Sequence, residues 1–306
     1  AQLQHMLWTD IVRVLMTSFP RVDSTLKEVP DLLVGGFRFI RQLPSRSEKV
    51  FEAVSDDGEV SAMKVLQKRE VLFPEDLEGI YRGFMLTWST LQHPHIIRCR
   101  QCLHSEERLY LNFDFAGPEH LAQHLQAEIS QRLSAESSLR VFQQMSGALE
   151  YLHTQQVAHR DVCLEHMVVR RLENGLLFAT LINFRSSIST LDVTKRTSST
   201  KCGRPPYMPP EMLCSEAYIP KLADRWSLGV CLLEMAGGLQ SLQSVVPWAQ
   251  AERETAKRLR SFFGEEGSHA VALAAKDGVH DALILAHMTE LIQPDARRRG
   301  WPATMS

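Results

Sequence analysis

Long apolar runs are missing from this sequence. None approaches the roughly 18 residues that a helix needs to cross a bilayer, so the chain is expected to have no membrane span. An excess of either charge is missing as well: 34 basic residues stand against 36 acidic ones. Nothing in that balance draws the chain to nucleic acid or to an anionic membrane surface. Cysteine is sparse. Cys99, Cys102, Cys163, Cys202, Cys214 and Cys231 are spread too widely for a disulfide framework, and the C-x-x-C formed by the first two has no second pair to complete a zinc site. Such usage fits a reducing compartment. Internal repeats, low-complexity tracts, an initiating Met and a charged stretch leading into an apolar one are all absent. The chain therefore reads as a processed or excised piece of something longer, soluble, and either cytoplasmic or a secreted effector.

What is present is an ordinary globular composition, 44% hydrophobic and 23% charged over 306 residues, enough for two lobes. Residues 5 to 19, HMLWTDIVRVLMTSF, place Met6, Leu7, Ile11, Leu15 and Phe19 at helical spacing and predict an amphipathic helix ahead of the main body. From 36 to 67 the pattern changes to strand-like alternation, GFRFIRQL, KVFEAVS and VSAMKVL, with the DDGE turn joining the last two as a hairpin. A helix at about 75 to 92 and strands around HIIRCRQCLH and RLYLNFDF complete a small antiparallel lobe. Past Gly117 the periodicity is helical, most clearly in LSAESSLRVFQQMSGALEYLHTQQ and in DRWSLGVCLLEMA. The expected class is α+β, with the boundaries 1–34 for an N-terminal helical extension, 35–116 for the small lobe and 117–306 for the large one.

Four short motifs fall in order along this frame: SAMK at 61–64, HRD at 159–161, NFR at 183–185 and PPE at 209–211. Together they resemble the eukaryotic protein kinase fold from about residue 35 to 302. The resemblance implies a bilobal architecture and a role for each matching residue. Lys64 matches the strand lysine that pairs with nucleotide phosphates. Val50, Ala62 and Val168 match the apolar positions around an adenine ring, and Phe113 stands at the rear of that pocket, ahead of a hinge at Asp114-Phe115-Ala116. Asp161 stands where the catalytic base should be, and Asp224 where a helix-start residue braces the H-R-D turn. Glu211 and Arg297 match a buried ion pair, and Thr200 matches the usual activation-loop phosphosite, with Arg160 as the receiver of such a phosphate.

The sequence also departs from the family. Pro44-Ser45-Arg46-Ser47-Glu48-Lys49 replaces the glycine-rich phosphate loop, removing backbone freedom and one N–H and adding a negative charge. Phe84 occupies the helix position that offers a glutamate to the lysine. Cys163 and His166 replace the catalytic-loop lysine and the metal-binding asparagine, Arg204 replaces a threonine, and Asn183-Phe184-Arg185 replaces D-F-G. Asn183 keeps an oxygen but not the charge that holds Mg²⁺, while Arg185 adds a cation beside it. These losses predict a degenerate member, a pseudokinase that is not an enzyme and works as a scaffold or allosteric regulator. Its expected partner is another protein, an active kinase or a substrate of one. No cofactor is expected on this reading: ATP binding is weak, magnesium is not expected, and no metal site is assigned. The alternative is an atypical active serine/threonine kinase using the retained Lys64 and Asp161. The helical extension and the P-P-E motif add a weaker likeness to the secreted rhoptry kinases and pseudokinases of apicomplexan parasites.

Overall fold

The computed structural model describes Arg21 and residues 33–45, 48–70, 74–191, 197–214, 216–246, 249–264 and 279–301. The helix expected at 5–19, nearly all of the 1–34 extension and part of the Ser/Thr-rich stretch lie outside these residues. The chain divides into two compact units between Glu119 and His120, one built on a sheet and the other mainly helical, which is the α+β architecture expected.

In the first unit, β1 (Leu33–Val34), β2 (Phe37–Gln42), β3 (Lys49–Ser55), β4 (Val60–Gln67), β5 (Cys99–His104) and β6 (Arg108–Asp114) form one antiparallel sheet in the order β1-β2-β3-β4-β6-β5. The DDGE turn closes β3 onto β4 as the sequence predicts, with Gly58 at φ +86° supplying the left-handed residue. Alternation then sorts the two faces. Phe39, Phe51, Ala53, Met63, Val65 and Tyr110 are buried together on one. Leu111 and the half-buried Leu66 and Phe113 lie in the other cluster. There they meet helix α1 (Pro74–Met85), whose Ile80 and Phe84 join that cluster. At 2% exposed, Phe84 is a core side chain.

The second unit is organised by α3 (Ala135–Thr154) and α4 (Pro220–Gly237), preceded by the short α2 (Leu121–Ala127). Ser134 caps α3 by accepting from Ser137 N, satisfying one of the orphan donors of the first turn. Val141, Phe142, Met145, Leu149 and Leu152 form its buried stripe. Helix α4 is apolar nearly all round and correspondingly central, packing on α3 and on α5 (Ala282–Leu291). A Cβ on Gly229 would come within 2.7 Å of Ile292 Cγ1 and 2.9 Å of Leu291 Cβ, so the absence of a side chain sets how closely α4 meets the last helix. Hairpin β7 (Met167–Arg171) and β8 (Leu177–Leu181) lies against α3. Among the described residues no helix is long and apolar enough to cross a membrane.

One pairing differs from the sequence reading. Glu211 bonds Arg299, not Arg297, through two contacts of 2.6 Å and 2.9 Å. Arg297 sits in the 3₁₀ turn Ala296–Arg298, of which no residue is buried, and Arg299, just past that turn, is the residue directed inward.

Candidate active site

The stretch 157–166 runs as a short strand, a tight turn and a 3₁₀ turn. Val157 and Ala158 pair with Ser189 and Ile188, and the chain then reverses at Arg160, whose φ is +66°. A non-glycine residue in that region costs on the order of 1 kcal/mol or more, and the cost is met from 64 residues away. Asp224, in the first turns of α4 and 1% exposed, accepts from His159 N at 2.9 Å and from Arg160 N at 2.7 Å. Charge-assisted bonds from a buried carboxylate to two backbone donors fix the turn. His159 Nε2 donates to Ile182 O at 3.0 Å, and its ring meets Phe184 edge-on at 5.0 Å. Burial pulls its pKa down, keeping the ring neutral. In the first unit, Trp88 stacks on Phe84. Gly203 closes the other side of the turn: at φ +86°, a Cβ there would lie 3.0 Å from Arg160 O.

This turn delivers Asp161. Burial pushes its carboxyl pKa upward, against the opposing pull of His159 and Arg204. Its Oδ1 is buried with no hydrogen-bond partner among the described residues, as is Asn183 Oδ1. His166 lies on the other side, with Nδ1 3.4 Å from Asp161 Oδ2 and 2.7 Å from the Asp161 carbonyl. The Nε2 of the same ring is 2.8 Å from Asn183 Nδ2 and 3.3 Å from Arg204 Nη2. With Nδ1–H donated to the carbonyl, Nε2 accepts from both. Arg204 Nη1 meets Glu165 Oε1 at 2.9 Å, so Glu165 is directed at a guanidinium. Cys163 is wholly buried, and burial holds its thiol pKa far up. Arg185 is exposed, Asn183 adopts φ +65°, and Val168 is half-buried on β7.

In the first unit the structure sets Lys64 opposite Val50 and Leu111, and Ala62 opposite Phe113. Val50, Ala62, Lys64 and Phe113 therefore share one face of the sheet. Lys64 is not without a carboxylate: Glu48 Oε1 stands 2.5 Å from its Nζ. Glu48 comes from the loop between β2 and β3, of which Arg46 and Ser47 lie outside the described residues. Glu78 of α1 bonds Arg82. The partner of Lys64 is a contact that sequence reasoning missed, and the pairing of Lys49 with Val65 across the hairpin, which brings residue 48 to the β4 strand, is the signal that could have found it.

A divalent ion of the magnesium class takes hard oxygens and usually few protein ligands, filling its shell with water and phosphate. The orphaned Asn183 Oδ1 is such a donor, so the residues present fit that ion with one negative charge fewer than an aspartate would bring.

Residues 46–274 match the protein kinase domain family. Among curated relatives, CBL-interacting protein kinase 4 of Oryza sativa subsp. japonica is 33% identical over 59% of this chain and 39% of its own. The Aurora kinase of Schizosaccharomyces pombe is 32% identical over 65% and 53%, and serine/threonine-protein kinase SIK2 of Gallus gallus is 33% identical over 58% and 21%. The chain thus spans about half or less of the length of these relatives. These findings correct the pseudokinase reading and the statement that the chain is not an enzyme: the relatives are named as kinases. They correct equally the expectation of no cofactor, with ATP binding weak and magnesium not expected, since this family normally uses both. The physical reason is in the site. Asp161 and Lys64 are intact, and the change at residue 183 removes a charge while keeping the oxygen.

Proposed function

We propose a serine/threonine protein kinase activity for this chain, which belongs to the protein kinase family by its match over residues 46–274. The observation that carries the reading is Asp161, a half-buried carboxylate on a turn that Asp224 holds from α4, whose buried Oδ1 has no hydrogen-bond partner among the described residues. A carboxylate so placed accepts the proton of a serine or threonine hydroxyl as the hydroxyl oxygen bonds to the γ-phosphorus of ATP and the bond from that phosphorus to the β,γ-bridging oxygen breaks, releasing ADP; burial moves the carboxyl pKa in the direction that makes it a better base. Lys64 supplies charge to the nucleotide phosphates, and Val50, Ala62, Phe113 and Val168 supply the apolar surface for the base. Asn183 would hold Mg²⁺ through Oδ1, with Arg185 adjacent; the ion supplies neutralisation of developing phosphate charge. In this reading 35–116 and 117–306 are the two lobes, and the partner is a protein substrate.

The test is transfer of labelled phosphate from ATP with Mg²⁺ to a generic acceptor such as casein, comparing the wild-type chain with Asp161→Ala and Lys64→Ala. Loss of about 100-fold or more in the Asp161 variant is expected, with thermal melting unchanged. A folded wild type that transfers nothing, or a variant as active as wild type, overturns the reading.

A further inference from the structure

Cys163 and His166 have no part in that reaction, yet both are buried beside Asp161. One ligand atom from each of Asp161, Cys163 and His166 lies within 4.8 Å of the others. We propose that these three residues form a binding site for a borderline-soft divalent ion of the zinc class, separate from the oxygen donor assigned to magnesium. The binding itself does not depend on the chain being a kinase.

Local backbone geometry brings the three together. Cys163 is fully extended, at φ −161° and ψ 165°, and the single 3₁₀ turn Leu164–His166 then returns the chain, with His166 N bonded to Cys163 O at 3.0 Å. A carboxylate, a thiol and an imidazole make a mixed O, S, N set. Such a set suits Zn²⁺ or Co²⁺ at bond lengths of about 2.0–2.3 Å and is poor for Mg²⁺. Closing from the present separations onto one ion needs movement of the order of an ångström, within the reach of side-chain rotation.

The second shell is already built. Metal-bound histidines typically donate their other ring N–H to a carbonyl or carboxylate, which fixes tautomer and ring orientation. His166 Nδ1 has that bond with the Asp161 carbonyl at 2.7 Å, which leaves Nε2 as the lone-pair nitrogen. Its present donors are Asn183 Nδ2 and Arg204 Nη2. An ion at Nε2 displaces both of these hydrogens, and water completes its shell, so Asn183 Oδ1 stays with the magnesium site. Asp161 Oδ1, also without a partner among the described residues, gains the contact it lacks. The charges facing the cluster are those of Arg204, Glu165, Asp224 and the neutral His159. Arg204 opposes a cation, but its guanidinium is bonded to Glu165 at 2.9 Å, and the ion itself is met by the Asp161 carboxylate and the Cys163 thiolate. Burial keeps that thiol protonated in the free protein, so binding displaces one proton and tightens as pH rises.

The experiment is titration of the metal-free full chain with Co²⁺, followed by absorption. Saturation at one equivalent is expected, with tetrahedral bands in the visible and a thiolate-to-metal charge-transfer band in the near ultraviolet. Zn²⁺ should abolish both by displacement, and millimolar Mg²⁺ should leave them. Cys163→Ser should lose the charge-transfer band, His166→Asn should weaken binding about tenfold or more, and Cys202→Ser should keep the full spectrum. The His166 variant introduces a smaller polar group and guards against misfolding of the Cys163 one. Absence of the charge-transfer band in the folded wild type overturns the proposal, as does its persistence in Cys163→Ser. Phosphotransfer is read separately: because the ion occupies Asp161, micromolar Zn²⁺ should inhibit the wild type, and an inactive wild type that still shows the Co²⁺ spectrum would sink the kinase reading alone.

Discussion

Lys64 and Glu48 form a close ion pair within the sheet unit, Nζ to Oε1 2.5 Å, with side chains only 14% and 23% exposed. The ammonium that the proposed reaction assigns to ATP is thus held by a carboxylate from the neighbouring loop. Screening by water is weak at that depth, so the pair is worth more than an exposed one. Nucleotide phosphate and Glu48 compete for the same cation, and the carboxylate also repels the phosphates that approach it.

Glu48→Gln is therefore expected to raise ATP affinity by about three- to tenfold, the equivalent of roughly 1 kcal/mol. Calorimetry with ATP and Mg²⁺ reads the change directly, and Lys64→Ala should lower affinity in the same assay. An unchanged or weaker affinity in Glu48→Gln would mean that the pair is broken at no cost, or that Glu48 helps to place the lysine.

The Glu211–Arg299 pair carries a sharper contrast. Arg299 is 0% exposed at its side chain, forks onto both Glu211 oxygens, donates to Gln293 O through Nε at 2.7 Å, and lies over the Trp226 ring at 5.0 Å. Removing either partner leaves a buried charge uncompensated, and Glu211→Ala or Arg299→Ala should each cost about 3–5 kcal/mol. Arg299→Lys should also destabilise, since an ammonium cannot reproduce the two-pronged contact. Arg297→Ala, on the neighbouring exposed turn, should stay within about 0.5 kcal/mol of wild type. Urea denaturation of the four variants decides the register: equal losses at 297 and 299 would contradict it.

That register shows where the sequence stopped being legible. The hairpin at 49–67 could be read because its turn residues and its alternation are local signals. The long helices α3 and α4 were legible from their period for the same reason. Arg297, Arg298 and Arg299 are chemically identical neighbours, and the residue that points inward is chosen by a 3₁₀ turn that Asp295 caps at Arg297 N. Likewise the path of residues 158–161 is fixed by Asp224 on a distant helix, and the partner of Lys64 by cross-strand register; both are nonlocal. Counting lost motif residues treated Asn183, Cys163 and His166 as absences. The structure gives each of them a position beside Asp161 and contacts of its own, which a count cannot weigh.

Glu234 supplies a test of pH dependence. It lies 3% exposed on α4, accepting from Tyr207 OH at 2.7 Å and from Gln240 N at 3.2 Å. Those two bonds favour the carboxylate, but burial outweighs them and raises the pKa from 4.5 to about 7. The folded state therefore holds a proton that the unfolded chain has released between these values. The stabilising contribution is complete below about pH 4.5, declines as pH rises toward 7, and is flat above. At about 1.4 kcal/mol per unit the ceiling is on the order of 3 kcal/mol. His159, buried and neutral, works in the opposite sense, losing stability as pH falls through the histidine range. The quantity to read is thus the difference between wild type and Glu234→Gln, which keeps an acceptor for Tyr207 and does not titrate. Urea midpoints at pH 5 and pH 8 should show wild type losing about 1–3 kcal/mol more than the variant over that interval. Parallel pH profiles would show that Glu234 is ionised in the folded protein throughout and that its two hydrogen bonds, rather than burial, set its state.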